Sequence, residues 1–208
     1  MPQVIFWDVD TQNDFIQPDG KLYVSGAEAI LPNLQRLTQH ARSAGIRIFG
    51  SVDAHRPDDP ELSPDPDFQE TFPPHCLEGT HGQEKVSETL PRNPLWIDPD
   101  PQSTDSLQEA VLGHAGEVIF RKRRFDVFTN PNLDPVIEAV APDLIVLYGV
   151  ALDVCDAHAI EGFLERETAA LKLVIDATRA IDPQRGEVLV AAWKQRGVEV
   201  VTTHEVCG

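Results

Sequence analysis

The chain is poor in the residues that staple or anchor a protein. Its 208 residues include only three cysteines, Cys76, Cys155 and Cys207, far apart and without CxxC spacing. That pattern argues against a disulfide framework and a structural zinc knuckle, and leaves room for a free reactive thiol. Basic residues are scarce: 17 Lys and Arg stand against 34 Asp and Glu, a net charge of −17. Nucleic acid is a poor partner for such a chain, because phosphate binding needs a basic footprint. The acidity reads as a solvated surface, of a kind tolerant of acid or salt. No apolar run approaches the roughly 18 residues of a membrane span, so no membrane association is expected. The opening MPQVIFWDVD lacks a basic n-region, and the expected location is the cytoplasm.

What is present is an alternation of short apolar runs with amphipathic segments. VIFW (4–7) precedes a helical pattern at 27–44, with Ile30, Leu31, Leu34, Leu37 and Ala41 at helical spacing and Gly45 closing it. IRIFGSV (46–52), EVIF (117–120), DLIVLYGV (143–150), LKLVIDA (171–177) and VEVVTT (198–203) read as further strands. Helical segments are expected near 106–112, 133–139, 153–166 and 183–196. Continuous apolar strands suit a parallel sheet covered on both faces. The expected fold is a three-layer α/β/α domain with about six parallel strands, one domain over 1–208. The proline-rich stretch 56–101 reads as one long irregular excursion, and loops of that length are usually functional.

In open parallel sheets, ligands bind at the carboxyl ends of the strands. Those ends carry Asp8 and Asp10, then Asp53 and His55, then Arg121 and Lys122, then the turn before Cys155. Cys155 falls in the first turn of a helix, where the N-terminus favours a thiolate and offers free N–H groups to an oxyanion. The bland alternative is a small buried hydrophobe. A thiol nucleophile needs a base. His158 lies one helical turn on but is expected to face outward, so Asp10 is the better candidate. Lys122 would hold Asp10 and tune it. Asp14 is expected to organise the following turn through backbone N–H groups, and Arg123 or Arg124 to be solvated. Asp53 and His55, two apart in an extended segment, share a side and form half of a metal site that His75 could complete. The alternative is two surface histidines and a capping aspartate.

These stretches together resemble the isochorismatase-like cysteine hydrolases, and within them the nicotinamidase branch. DTQNDF (10–15) is similar to the family's D-x-Q-x-D-F. DAH (53–55) with FPPHCLEGTHGQE (72–84) is similar to the nicotinamidase metal motif. RKRRFDVF (121–128) and GVALDVC (149–155) are similar to K-x-x-Y-S-x-F and G-V-A-T-E-x-C. The resemblance implies a triad of Asp10, Lys122 and Cys155, with an oxyanion hole from the N–H groups of Ala151 and Cys155 beside a cis peptide before Ala151. It implies a divalent metal, usually zinc, with iron or manganese as alternatives, on Asp53, His55 and His75. Phe15 and Phe72 would flank the substrate. The implied activity is hydrolysis of nicotinamide to nicotinate and ammonia through a thioester, in a homo-oligomer. The alternatives are another small amide or ureido substrate, or a non-catalytic metal- or ligand-binding protein. Ala54 stands where nicotinamidases carry tryptophan, and FDVF follows Lys122 without their longer insertion, with Asp126 in place of serine. Asp8, one pleat before Asp10, should share its side and pair with a cation or hydroxyl. The sequence gives no physical reason for Cys76.

Overall fold

The computed structural model describes residues 2–68 and 70–208. Its elements run β1 (Val4–Val9), α1 (Asn13–Ile16), α2 (Leu31–Ala44), β2 (Arg47–Asp53), β3 (Leu95–Ile97), α3 (Thr104–Gly113) and β4 (Val118–Lys122). Then follow α4 (Leu133–Val140), β5 (Leu144–Val150), α5 (Cys155–Glu165), β6 (Ala170–Arg179), α6 (Pro183–Gln195), β7 (Glu199–Val201) and α7 (Thr203–Cys207). The seven strands pair in parallel in the order β3-β4-β2-β1-β5-β6-β7. The expected six-strand sheet thus gains β3, a three-residue edge strand inside the proline-rich excursion. Leu95 to Ile97 is too short to show a period, and its strand character comes from its pairing with Val118 to Phe120.

Alternation along β1 divides the core. Ile5, Trp7 and Val9 pack on the face covered by α3, α4, α5 and α6, around Phe49, Phe120 and Phe163. Phe6 packs on the other face with Tyr148, Val146 and the Leu34, Leu37, Ala41 stripe of α2. Both faces are dry, which is why the strands read as continuous apolar runs rather than alternating ones.

The chain leaves β1 for β2 on one side and later returns to β5 on the other, so the topology switches direction about β1. The carboxyl ends at such a switch form the binding crevice. Gly149, at φ +138°, lies against the β1 backbone: a Cβ there would stand 2.0 Å from the Val9 carbonyl oxygen. This close approach brings the end of β5, and Cys155 after it, beside the end of β1.

Candidate active site

Four strand ends converge as the sequence suggests. Lys122, at the end of β4, is fully buried, with Nζ 2.9 Å from Asp10 Oδ2 and 3.7 Å from Cys155 Sγ, and it also pairs with Asp53 Oδ1. Donor atoms of Asp10, Asp53 and Cys155 lie within 4.8 Å of one another. Asp10 sits just past β1 at φ 45°, and neither of its oxygens takes a directed hydrogen bond despite the Lys122 contact. Gln12 ties this turn to β2 in both directions. Its amide donates to Asp53 O (2.8 Å), and the Asp53 N–H donates to its carbonyl oxygen (2.7 Å).

Cys155 is the first residue of α5, two residues later than the expected helix start, and its N–H therefore has no partner within the helix. The bond between Val150 and Ala151 is cis, as the resemblance implies. The helix N-terminus was expected to favour a thiolate. Instead burial pushes the Cys155 thiol well up; Lys122 pulls it down, but Asp10 and Asp53 add to the rise. These influences together disfavour the thiolate. His158 is exposed and stacks on Phe125 at 5.7 Å, with no hydrogen bond to Cys155.

Asp53 Oδ2 looks the other way, 3.8 Å from His55 Nε2 and 3.6 Å from His75 Nε2. A fourth residue that the sequence reading missed joins them: Glu61, with Oε1 3.7 Å from His55 Nε2. All four offer donor atoms within 4.8 Å of one another, and all are buried. Glu61 lies in the proline-rich excursion, which has no periodicity to mark it. It reaches the site because the excursion folds back, with the Phe72 N–H donating to Glu61 O (2.8 Å).

The set fits a divalent cation. His55 Nε2 and Glu61 Oε2 are buried without a hydrogen-bond partner, an arrangement that is costly unless something occupies it. His75 Nδ1 donates to Pro73 O (2.7 Å) and His55 Nδ1 faces Asp59 Oδ2 (3.4 Å), so both Nε2 atoms are turned inward. Burial keeps His55 neutral by lowering its pKa. Burial, and then the Asp53 charge, push Glu61 up to about 8, whereas a cation would favour its carboxylate.

Phe15 and Phe72 flank His75, at ring distances of 5.3 and 6.4 Å, and Phe125 closes the slot edge-on to Phe72 at 5.8 Å. Asp14 organises its loop, accepting from the N–H of Lys21 (3.0 Å) and of Cys76 (2.7 Å). Cys76 is a buried residue at φ 44° whose backbone serves Asp14. All three cysteines are free. No helix among the described residues is long and apolar enough to cross a membrane.

The fold and site define a parallel α/β protein with a buried thiol, carboxylate and ammonium at its switch point. The family model for the isochorismatase domain matches residues 4–205, and the chain belongs to the isochorismatase family. It is 24 % identical over 158 residues to the N-carbamoylsarcosine amidase of an Arthrobacter species, covering 74 % of this chain and 51 % of that protein. The chain therefore spans about half the length of that relative. It is 25 % identical over 199 residues to a probable inactive nicotinamidase of Arabidopsis thaliana, covering 95 % and 91 % of the two chains. The crystal structure of the Pyrococcus horikoshii pyrazinamidase in complex with zinc superposes with a TM-score of 0.76 at 22 % identity, covering 97 % and 99 %.

Proposed function

We propose that the protein is a metal-containing amidohydrolase of nicotinamidase type, a single hydrolase domain converting nicotinamide to nicotinate and ammonia. The observation that carries this reading is the adjacency of two sets. Asp10, Lys122 and Cys155 meet a four-donor metal set through the shared Asp53, beside an aromatic slot. A bound divalent metal, zinc in this reading, would be held by Asp53, His55, Glu61 and His75 and would orient the pyridine ring through its nitrogen.

The chain's own residues then carry the chemistry. Asp10 accepts the Cys155 proton as Sγ bonds to the carboxamide carbon. Lys122 keeps Asp10 in place. The N–H groups of Ala151 and Cys155 receive the oxyanion. Asp10 returns its proton to the departing ammonia, leaving a thioester. Water then attacks that thioester, losing one proton to Asp10; Cys155 regains that proton as nicotinic acid leaves and ionises to nicotinate in solvent.

The slot favours a neutral aromatic amide over a ureido acid. Phe15, Phe72, Phe125, Val154 and Ile181 line it, and no arginine or lysine does. A carboxylate-bearing substrate such as N-carbamoylsarcosine would find no arginine or lysine among the described lining residues to pair with its carboxylate. The reading keeps a cytoplasmic location and a homo-oligomer. A panel of small amides and ureido compounds, assayed for ammonia on a sample whose metal is measured by elemental analysis, tests it. Nicotinamide should lead the panel. A carbamoyl acid in first place would move the assignment to the ureido branch, and an inert Cys155 with no turnover would favour the binding protein.

A further inference from the structure

A second charged cluster lies behind Asp10 and takes no part in the steps above. Asp8, on β1, is 2 % exposed and Lys85 4 %, with Lys85 Nζ 3.1 Å from Asp8 Oδ1. Thr11 Oγ1 donates to Asp8 Oδ1 (2.8 Å) and accepts from Lys85 Nζ (3.2 Å). Thr89 Oγ1 stands 2.6 Å from Thr11 Oγ1. The single Thr11 hydroxyl proton points to Asp8, so Thr89 is the donor in that last bond. The backbone follows the same line: the Val86 N–H donates to Thr11 O (2.9 Å), and Gln12 pairs antiparallel with Lys85.

The network thus grips residues on both sides of Asp10 and leaves its carboxylate to Lys122, 2.9 Å away. A proton carrier needs that arrangement. Lys122 alone does not fix the turn that carries this carboxylate, so its aim also depends on the neighbouring residues. Replacing a buried ion pair by apolar residues is often neutral or stabilising, so this pair is weak evidence of a purely structural role.

We propose that the buried Asp8–Lys85–Thr11–Thr89 network is a positioning device that holds the Asp10 turn so that its carboxylate meets the Cys155 thiol. This rests on the reading of Asp10 as the proton carrier. The network acts through Asp10 and touches no substrate.

The test compares Thr11→Val, Thr11→Ser and the double variant Asp8→Asn/Lys85→Met in the full-length protein. Turnover per folded molecule is measured as kcat and KM for ammonia release. The rate of Cys155 alkylation by iodoacetamide is followed by peptide mass spectrometry, and needs no knowledge of the substrate. Thr11→Val is expected to lower kcat and the alkylation rate about tenfold with KM within about twofold, on the scale of a small misplacement of a reacting group. Thr11→Ser, which keeps the hydroxyl, should recover both. The double variant should keep its Tm and lose kcat. Full kcat and full alkylation in a folded Thr11→Val or double variant overturns the proposal, as does a Thr11→Ser variant as slow as Thr11→Val. Asp10→Asn separates the two layers. An active Asp10→Asn sinks the proton-carrier reading, whereas a dead Asp10→Asn beside a fully active Thr11→Val sinks only the network.

Discussion

Two buried lysine–carboxylate pairs meet the end of the first strand, and they are built differently. Lys85 stands 3.1 Å from Asp8, and Lys122 stands 2.9 Å from Asp10. The first pair is enclosed by hydroxyls: Thr11 bonds Asp8 and Lys85, and Thr89 bonds Thr11. The second is left open. Asp10 takes no directed hydrogen bond, and Lys122 is divided among Asp10, Asp53 and the thiol. Similar distances therefore carry different meanings. A satisfied network fixes geometry, and an unsatisfied buried carboxylate marks where chemistry or a ligand is to come.

The largest effect should come from the open side. Cys155→Ala is expected to abolish ammonia release, by about a thousandfold or more, with an unchanged circular dichroism spectrum. Substantial residual turnover would rule out the nucleophile. Next, Lys122→Met leaves Asp10 and Asp53 facing one another without their cation. We expect a loss of about 3–5 kcal/mol in denaturant unfolding together with the activity, because an uncompensated buried charge is left. On the metal side, Glu61→Gln should weaken metal retention about tenfold in chelator competition. Unchanged retention would confine the ligand set to Asp53, His55 and His75.

The last effect touches stability alone and concerns Asp156, the buried neighbour of the thiol. Burial holds it at about 8 against an ordinary 3.8, although Thr178 bonds it and pulls the other way. Between those values the folded chain keeps a proton that the unfolded chain releases, so this group makes stability fall as pH rises, levelling off above about 8. Asp156→Asn should therefore raise Tm at pH 8 and change it little near pH 4, measured by thermal melts across that range. An equal shift at both pH values would mean that the residue is ionised in the folded chain.

Much of this arrangement was legible before the fold was known, and the residues show why. Asp10, Asp53, Lys122 and Cys155 each follow an apolar run, so the rule that ligands gather at the carboxyl ends of parallel strands placed them together. Asp14 was recognisable from its turn, and Asp8 as a group in need of a cation or hydroxyl. Glu61 and Lys85 escaped. Both lie between residues 56 and 101, where prolines and turns remove periodicity. The available hints were an acid six residues after His55, and a lone lysine following the GTHGQE run. Neither says which strand it will face.

What the sequence alone determined is what local periodicity and strand order can encode: a parallel sheet, its two dry faces, and the four strand ends carrying the thiol, the lysine and two carboxylates. The tertiary structure decided the rest. It made an edge strand of Leu95 to Ile97, folded Glu61 onto His55, and seated Lys85 under Asp8. It also set burial and nearby carboxylates, which disfavour the Cys155 thiolate, against Lys122, which favours it. These outcomes depend on long loops closing and on charges losing water. Neither leaves a period in the chain, so neither could be read until the excursion was seen folded over the sheet.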